Sequence, residues 1–220
     1  MTFSLSAFET DGYLIIPQVL SPAEVVNIAS HLQAVPCDHN RTRKLLALPW
    51  CLALAKRIRR DHQIAQILPS QYVPIQASYF PKTTHDNWQV ALHRDHFVPV
   101  AERRDVAGWN GWSIKEGVQF ARPPTELLQQ LIAVRIHLEA NTLVNGPLYV
   151  VPRSHISAVE TGRTACEVPA GGALAMRPLI LHASSKVQAG SRRVLHFLFG
   201  PQELPDGLRW AYPDSLVRNL

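Results

Sequence analysis

The chain has 220 residues with a formal net charge of +5, and 46% of its residues are apolar while 18% are charged. These values are ordinary for a globular protein and exclude a chain that is disordered throughout. The longest apolar stretch, residues 45–55, holds 11 residues and contains Pro49, whereas a membrane-spanning helix needs roughly 20. No basic segment followed by an apolar run opens the chain. We therefore expect one domain over residues 1–220, with no membrane partner.

The positive charge consists almost wholly of arginine, with 17 Arg against 5 Lys. Arginine grips carboxylates and phosphates through two parallel hydrogen bonds, so this surplus alone allows a nucleic acid, an acidic small molecule or neither. The densest basic cluster, residues 56–60, has no interleaved aromatic residues, and we expect a solvated helix face there and no nucleic-acid partner. Cys37, Cys51 and Cys166 form neither a disulfide framework nor a CxxC motif, which favours a reducing cytoplasm.

The N-terminal part, residues 1–70, is predicted to be mostly helical. Residues 13–17 indicate a short strand. Ser21 and Glu24 then form a capping box with Pro22 at the first helical position, which predicts a helix to about Leu32. Residues 44–60 predict a second helix that is broken or begun at Pro49.

From residue 71 onward the pattern predicts short strands separated by Pro, Gly and Asn, with a short helix near residues 124–130. Several short strands in succession favour a sandwich or barrel over a parallel sheet. The segment 97–122, which contains Trp109 and Trp112, is predicted to be a long connection between strands. It is either a lid or a loop whose aromatic residues pack it against the barrel. The predicted strands are residues 72–80, 89–95, 132–139, 148–151, 173–178 and 194–199.

Candidate metal ligands stand at His93 and Asp95, and at His182 much later in the chain. Residues i and i+2 of a strand share a face, so His93 and Asp95 can hold one ion together. A distant histidine completes the two-histidine, one-carboxylate triad of non-haem Fe(II) sites. Chance alone gives roughly 0.4 H-x-D pairs in a chain of this composition, so the pair is weak by itself. Two alternatives stay open, namely an H-x-E pair at His137 and Glu139, and His96 together with His93.

Two arginines, Arg192 and Arg193, follow His182 at the start of a predicted strand. A buried arginine there suits a dicarboxylic acid whose near end chelates iron and whose far carboxylate meets the guanidinium. Alternation along the strand predicts that only one of the two faces inward. Ser184, in an expected polar turn over residues 183–185, can add a hydroxyl contact to the same carboxylate.

Four segments carry a family resemblance. Residues 8–24 are similar to an N-terminal opening, residues 88–95 to a strand with the first metal ligands, and residues 171–185 to a strand with the distal ligand. The run from Asn145 to His155, N-G-P-L-Y-V-V-P-R-S-H, resembles the pattern N-G-x-L-x-V-x-P-G-S-H. Together, in this order, these segments resemble the phytanoyl-CoA dioxygenase (PhyH-like) family of Fe(II)/2-oxoglutarate-dependent oxygenases.

The resemblance implies a mainly β fold, a double-stranded β-helix (jelly roll, cupin-like) over residues 71–220 with flanking N-terminal helices. It implies Fe(II), 2-oxoglutarate as cosubstrate and O2, with oxidation of a small-molecule substrate coupled to decarboxylation of 2-oxoglutarate to succinate. Because Asp95 is intact, where halogenating relatives carry a small residue, it implies a hydroxylase. The carried-over ligands are His93, Asp95 and His182.

The same resemblance assigns Arg192, 10 residues after His182, to 2-oxoglutarate. Arg193 is the alternative, because a spacing of 11 is usual in the family. Arg153 replaces a glycine of the family's pattern, which strains the turn if a positive φ is required. The residues expected to line the substrate or cosubstrate pocket are Arg135, His137, Trp112 and Tyr79.

Two other functions remain open from the residues. One is a cupin-like metalloenzyme that does not use 2-oxoglutarate, and the other is a non-catalytic jelly-roll binding protein. The sequence determines neither the substrate nor the oligomeric state.

Overall fold

The computed structural model describes residues 4–36, 42–157 and 162–212. Ser21 and Glu24 form the predicted capping box, with the Glu24 carboxylate accepting from the Ser21 N–H at 2.8 Å. Pro49 opens a helix and does not break one. The helices are α1 (Leu5–Asp11), α2 (Pro22–Gln33), α3 (Pro49–Arg59), α4 (Ile64–Ile67) and α5 (Thr125–Gln130).

Two antiparallel sheets build the body of the protein. The larger sheet has the strand order β1-β10-β7-β12-β2, and the smaller one has the order β3-β11-β8-β9. Their strands are β1 (Tyr13–Ile16), β2 (Tyr72–Thr83), β3 (Val90–His93), β4 (Val98–Val100), β5 (Asn110–Lys115), β6 (Val118–Arg122), β7 (Ile132–His137), β8 (Leu148–Val150), β9 (Thr164–Cys166), β10 (Ala173–Met176), β11 (His182–Ser184) and β12 (Ser191–Pro201), with β4, β5 and β6 forming a third sheet.

The larger sheet has a different apolar core on each face. On one face, Ile136, Leu195 and Phe197 pack beneath the N-terminal helices. On the other face, Leu174 and Leu198 belong to the core shared with the smaller sheet. Strand alternation divides the residues in this way, and the two facing sheets are the predicted jelly roll with helices outside.

The structure differs from the predicted elements in two places. The segment 97–122 is not a long loop, because β4, β6 and β5 pair there as a small antiparallel sheet. Trp109 is buried in the core between the sheets, so the aromatic anchor is the alternative that is observed. The polar turn expected at residues 183–185 is wrong, since β11 runs through Ser184 and is paired on both sides. The neighbouring strands β3 and β8 supply the backbone hydrogen-bond partners, and these strands are distant from β11 in the sequence.

Three smaller expectations concern the surface and the cysteines. In the basic cluster of α3, Arg57 pairs with Glu24 at 3.1 Å and lies at the surface. Cys51 and Cys166 are buried free thiols, while Cys37 lies outside the described residues. Within the described ranges, no helix combines the length and apolarity needed to cross a membrane.

Candidate active site

Three side chains converge on one point at the end of the smaller sheet where β3 ends and β11 begins. His93, the last residue of β3, faces His182, the first residue of β11, in register. Asp95 follows just beyond the end of β3, where its N–H donates to the Pro178 carbonyl at 3.0 Å. Its carboxylate lies 3.7 Å from Nε2 of His93 and 3.6 Å from Nε2 of His182. All three potential ligand atoms lie within 4.8 Å of one another, so one ion can reach them all.

The orientation of both imidazoles fits a metal ion. Nδ1 of His93 lies 2.8 Å from the Ala91 carbonyl, and Nδ1 of His182 lies 2.9 Å from the Ile180 carbonyl. A carbonyl only accepts, so each Nδ1 carries the proton and each Nε2 presents its lone pair to the centre, as in metal-bound histidines. Burial raises the pKa of Asp95, but His182 and His93, when they are protonated in the metal-free protein, lower it by more, so the carboxylate is ionised. These donors fit the two-histidine, one-carboxylate site of Fe(II).

The triad opens into a cavity of about 370 Å³ between the two sheets. This volume is in the range of small-molecule sites. Aromatic side chains form much of its wall, and among the described residues that line it Asp95 is the sole acid against five cations. These aromatic and cationic residues are Phe80, Trp88, Phe97, Phe120, Arg43, Arg94, Lys115, Arg135 and Arg192.

The structure separates the two candidate arginines of β12. Arg192 is 3% exposed, lines the cavity and donates to the Gly146 carbonyl, while its Nε has no partner. Arg193 points to the opposite face, where its side chain pairs with Glu139. Alternation therefore places only Arg192 in the cavity. Glu139, engaged on that outer face, is not brought to a metal site with His137.

Lys82, on β2, is a further functional candidate that the sequence pattern alone does not place in the site. It pairs with Arg192 across β2 and β12 and is fully buried. Its Nζ donates to the hydroxyl of Ser184 at 2.9 Å and to the Ser185 carbonyl at 3.0 Å. Burial, together with Arg192 and Arg135, lowers the pKa of Lys82 to about 7. Two neighbouring buried cations beside a hydroxyl form a receptor for a carboxylate. A lysine facing an arginine across two strands is a signal that only the strand register reveals.

Arg135, on β7, also lines the cavity, in register with His196 on β12. Its Nη1 lies 3.0 Å from Nδ1 of His196, and its guanidinium carbon lies 5.7 Å from the centre of the Phe80 ring. His137 shares the face of Arg135 but is buried and is not among the described residues lining the cavity. Neither ring nitrogen of His137 has a hydrogen-bond partner.

Two other residues predicted for the pocket lie elsewhere. Tyr79 is on the opposite face of β2, in the core beneath the helices. Trp112 is half-buried and packs against Trp109, with ring centres 6.3 Å apart, at the edge of the core between the sheets. Neither is among the described residues that line the cavity. Tyr79 is excluded by strand alternation, which could not be applied before the face of β2 was known.

Arg153 has a φ of 68°, the left-handed conformation that favours glycine. Its N–H donates to the Asp11 carbonyl at 2.9 Å, which ties this turn to the end of α1. The turn therefore has the left-handed conformation that a glycine adopts freely. The Cβ of Arg153 is strained in it, as the sequence analysis expects for a turn that requires a positive φ.

The family profile described as phytanoyl-CoA dioxygenase (PhyH) matches residues 8–194. The chain belongs to the phytanoyl-CoA dioxygenase family. Comparison with curated proteins finds no significant match. The family match and the metal triad confirm the expected class, which is a non-haem oxygenase that depends on Fe(II) and 2-oxoglutarate.

Solved structures with the same fold include one protein with 2-oxoglutarate bound and two enzymes described as α-ketoglutarate-dependent. HygX from Streptomyces hygroscopicus, solved with nickel and 2-oxoglutarate, is 16% identical, with a TM-score of 0.65 over 91% of this chain and 88% of HygX. SnoK, a non-haem α-ketoglutarate-dependent carbocyclase from nogalamycin biosynthesis, is 15% identical, with a TM-score of 0.66 over 99% of this chain and 90% of SnoK. SnoN, an epimerase from the same biosynthesis, is 15% identical, with a TM-score of 0.61 over 94% of this chain and 92% of SnoN. At these identities the likeness establishes the jelly-roll fold.

Proposed function

We propose that this oxygenase hydroxylates an unactivated C–H bond of a small molecule, with Fe(II) held by His93, Asp95 and His182. The observation that carries the proposal is that these three ligand atoms and the buried guanidinium of Arg192 line one cavity. When iron, 2-oxoglutarate and O2 are bound, together they supply the oxidising chemistry, and 2-oxoglutarate leaves as succinate and CO2.

Residues of β2, β11 and β12 bind the cosubstrate in this proposal. Arg192 holds the far carboxylate of 2-oxoglutarate through its guanidinium, and the Ser184 hydroxyl donates to the same carboxylate. Lys82, which contacts Ser184, adds its charge when protonated. Burial of these groups makes the site selective for a dianion, because no acidic residue besides Asp95 lies among the described residues lining the cavity.

Hydroxylation is the reaction that the ligand set favours. The carboxylate of Asp95 would complete the two-histidine, one-carboxylate set for Fe(II), and with 2-oxoglutarate and O2 also bound the intact set would leave no room for a halide ion. The carbocyclase and epimerase among the structural neighbours have other reaction outcomes on the same fold, so product analysis decides the reaction.

The test is formation of the ternary complex without oxygen, followed by turnover. Addition of 2-oxoglutarate to the anaerobic Fe(II) protein is expected to give the weak visible charge-transfer band of a chelated keto acid, and O2 is expected to give one succinate per cosubstrate consumed. His93→Ala is expected to abolish both signals, whereas His96→Ala keeps the band. Absence of the band and of succinate in the wild-type protein would overturn the proposal.

A further inference from the structure

The charges around the cavity do not balance once the cosubstrate is counted. In the proposed complex, Asp95 and 2-oxoglutarate bring three negative charges, and the divalent ion and Arg192 bring three positive ones. Arg135 then has no opposing charge, and a protonated Lys82 adds one more positive charge. Because an isolated charge is costly in a buried site, the cavity requires a further anion.

The other cations of the cavity wall are engaged in different contacts. Arg43 pairs with Glu116 at 2.8 Å. Arg94 donates to two backbone carbonyls, those of Leu179 and Ser154, both at 2.8 Å. Lys115 lies over the rings of Phe97 and Phe120. Arg135 differs from these three half-buried cations because it is buried, at 7% exposed, has no carboxylate partner in the described ranges, and leaves its Nε without a hydrogen bond.

His196 extends the donor set of Arg135. A guanidinium donates and cannot accept, so the contact at 3.0 Å requires Nδ1 of His196 to be the acceptor. The imidazole is therefore neutral with its proton on Nε2, which consequently is a donor. Burial and Arg135 lower the pKa of His196 to about 3, which agrees with a neutral ring, while burial leaves the pKa of Arg135 at about 10, which keeps the guanidinium charged at neutral pH.

The pair lines the same cavity as the three metal ligands. The Phe80 ring covers one side of this pair, with its centre 5.7 Å from the guanidinium carbon of Arg135 and 6.2 Å from the His196 ring centre. Phe97 and Phe120 provide further apolar wall. An anionic group held here places the attached carbon skeleton close to the oxidising centre.

We propose that Arg135 and His196 form the substrate subsite of this oxygenase and select a small molecule carrying a carboxylate or phosphate group on an apolar body. This inference rests on the proposed function, because the charge balance counts 2-oxoglutarate at Arg192. Arg135 is a specificity-determining residue in it, and the two oxyanion groups share the chemistry that the guanidinium recognises.

The experiment measures probe binding to the anaerobic Fe(II)–2-oxoglutarate complex by calorimetry. The probes are benzoate, phenyl phosphate and the neutral isostere benzamide. We expect at least one of the two anions to bind about tenfold or more tightly than benzamide, and the tighter anion identifies the natural group. Equal binding of all three probes would overturn the inference.

Variants separate the substrate subsite from the cosubstrate site. Arg135→Gln is expected to weaken the preferred anion about tenfold while the Kd of 2-oxoglutarate changes less than threefold, and Arg60→Gln, the same charge change on an exposed residue, is expected to alter neither. Equal losses for 2-oxoglutarate and the anion would assign Arg135 to the cosubstrate and overturn the inference. Failure of the wild-type protein to bind 2-oxoglutarate would instead overturn the proposed function.

A second variant covers the case in which Arg135→Gln does not fold. Arg135→Met fills the same space without charge, and it is expected to raise the melting temperature of the metal-free protein because an unopposed buried cation is removed. It is also expected to lose the preference for the anion over benzamide. A lower melting temperature together with retained anion preference would contradict the subsite.

Discussion

His93 and His182 face each other across β3 and β11, two neighbouring antiparallel strands, with their ring centres 4.2 Å apart. Each ring is fixed by a hydrogen bond from Nδ1 to a carbonyl two residues earlier in its own chain segment. The same local device thus orients both ligands, and the strand pairing brings them together. The metal centre is therefore a product of the register between these two strands.

Loss of one ligand is expected to weaken metal binding strongly. His93→Ala should weaken Fe(II) binding by about 100-fold or more, since loss of even an outer partner of a metal ligand costs 10–100-fold. His96→Ala is the matched control, because His96 lies three residues further on, lines the same cavity and is outside the triad. Calorimetric titration with metal under anaerobic conditions measures both. Equal losses in the two variants would assign the ion to the His93–His96 pair.

The two arginines of β12 are expected to respond in opposite ways. Arg192→Met should raise the Kd of 2-oxoglutarate about 100-fold, because the far carboxylate loses a buried charged partner. Arg193→Met should leave that Kd unchanged and reduce the free energy of unfolding by at most about 1 kcal/mol, since its pairing with Glu139 is partly exposed. Cosubstrate titration and urea unfolding check the two effects. A cosubstrate defect confined to Arg193→Met would reverse the assignment.

The affinity for 2-oxoglutarate is expected to fall as the pH rises above about 7. The pKa of Lys82 is lowered to about 7 by burial and by Arg192 and Arg135, so free protein loses this proton above pH 7 and must regain it to bind the dianion favourably. Below pH 7 Lys82 is already protonated, and affinity should not change through this group. Lys82→Met should bind 2-oxoglutarate more weakly at pH 6 and should lack the decline above pH 7. A decline that persists in this variant would point to another group.

The turn at Arg153 is expected to gain stability from glycine. Arg153→Gly removes a left-handed penalty of roughly 1–2 kcal/mol for a residue with a Cβ, against an entropy cost of roughly 0.5–1 kcal/mol for glycine. The net gain in the free energy of unfolding should be about 0.7 kcal/mol, the middle of the range of about 0–1.5 kcal/mol that these two terms allow. Arg153→Ala keeps the Cβ at the same φ of 68° and should gain nothing. Urea unfolding compares the three proteins, and an equal gain for alanine would attribute the effect to the arginine side chain instead.

Local chemistry explains the parts of the fold that the sequence predicted. The capping box at Ser21, the helix begun by Pro49 and the left-handed turn at Arg153 each depend on a few neighbouring residues. The strands β2, β7, β8, β10 and β12 were found from apolar runs and turn residues. The sequence does not predict β5 and β6, because most of their side chains are exposed or half-buried, nor β4, because it is only three residues long and contains Pro99.

The residues of the candidate site fall into two groups, those marked by local sequence patterns and those marked only by strand pairing. The spacing of His93 and Asp95 and the family pattern around His182 were local, so these residues could be named from the sequence. The expectation for Tyr79 is wrong because the two faces of a strand look alike until the sheet has a core on one side. The expectation for Trp112 is wrong because its segment is predicted as a loop, whereas β5 packs Trp112 against Trp109. Lys82 and His196 were not selected, since their significance comes from facing Arg192 and Arg135 across strands that are distant in sequence.

The sequence by itself determined the family, the jelly-roll class and the identity of the metal-ligand candidates, because each is encoded in short patterns and in their order along the chain. Only the tertiary structure decided which arginine of β12 faces the cavity and that Arg135 meets His196 there. Side-chain direction alternates along a strand, and the register between strands fixes which faces meet. Burial places Arg135 and Arg192 together in one cavity wall, where neither forms an ion pair with a carboxylate in the described ranges. The resulting positive charge is a property of the folded cavity and of no single segment.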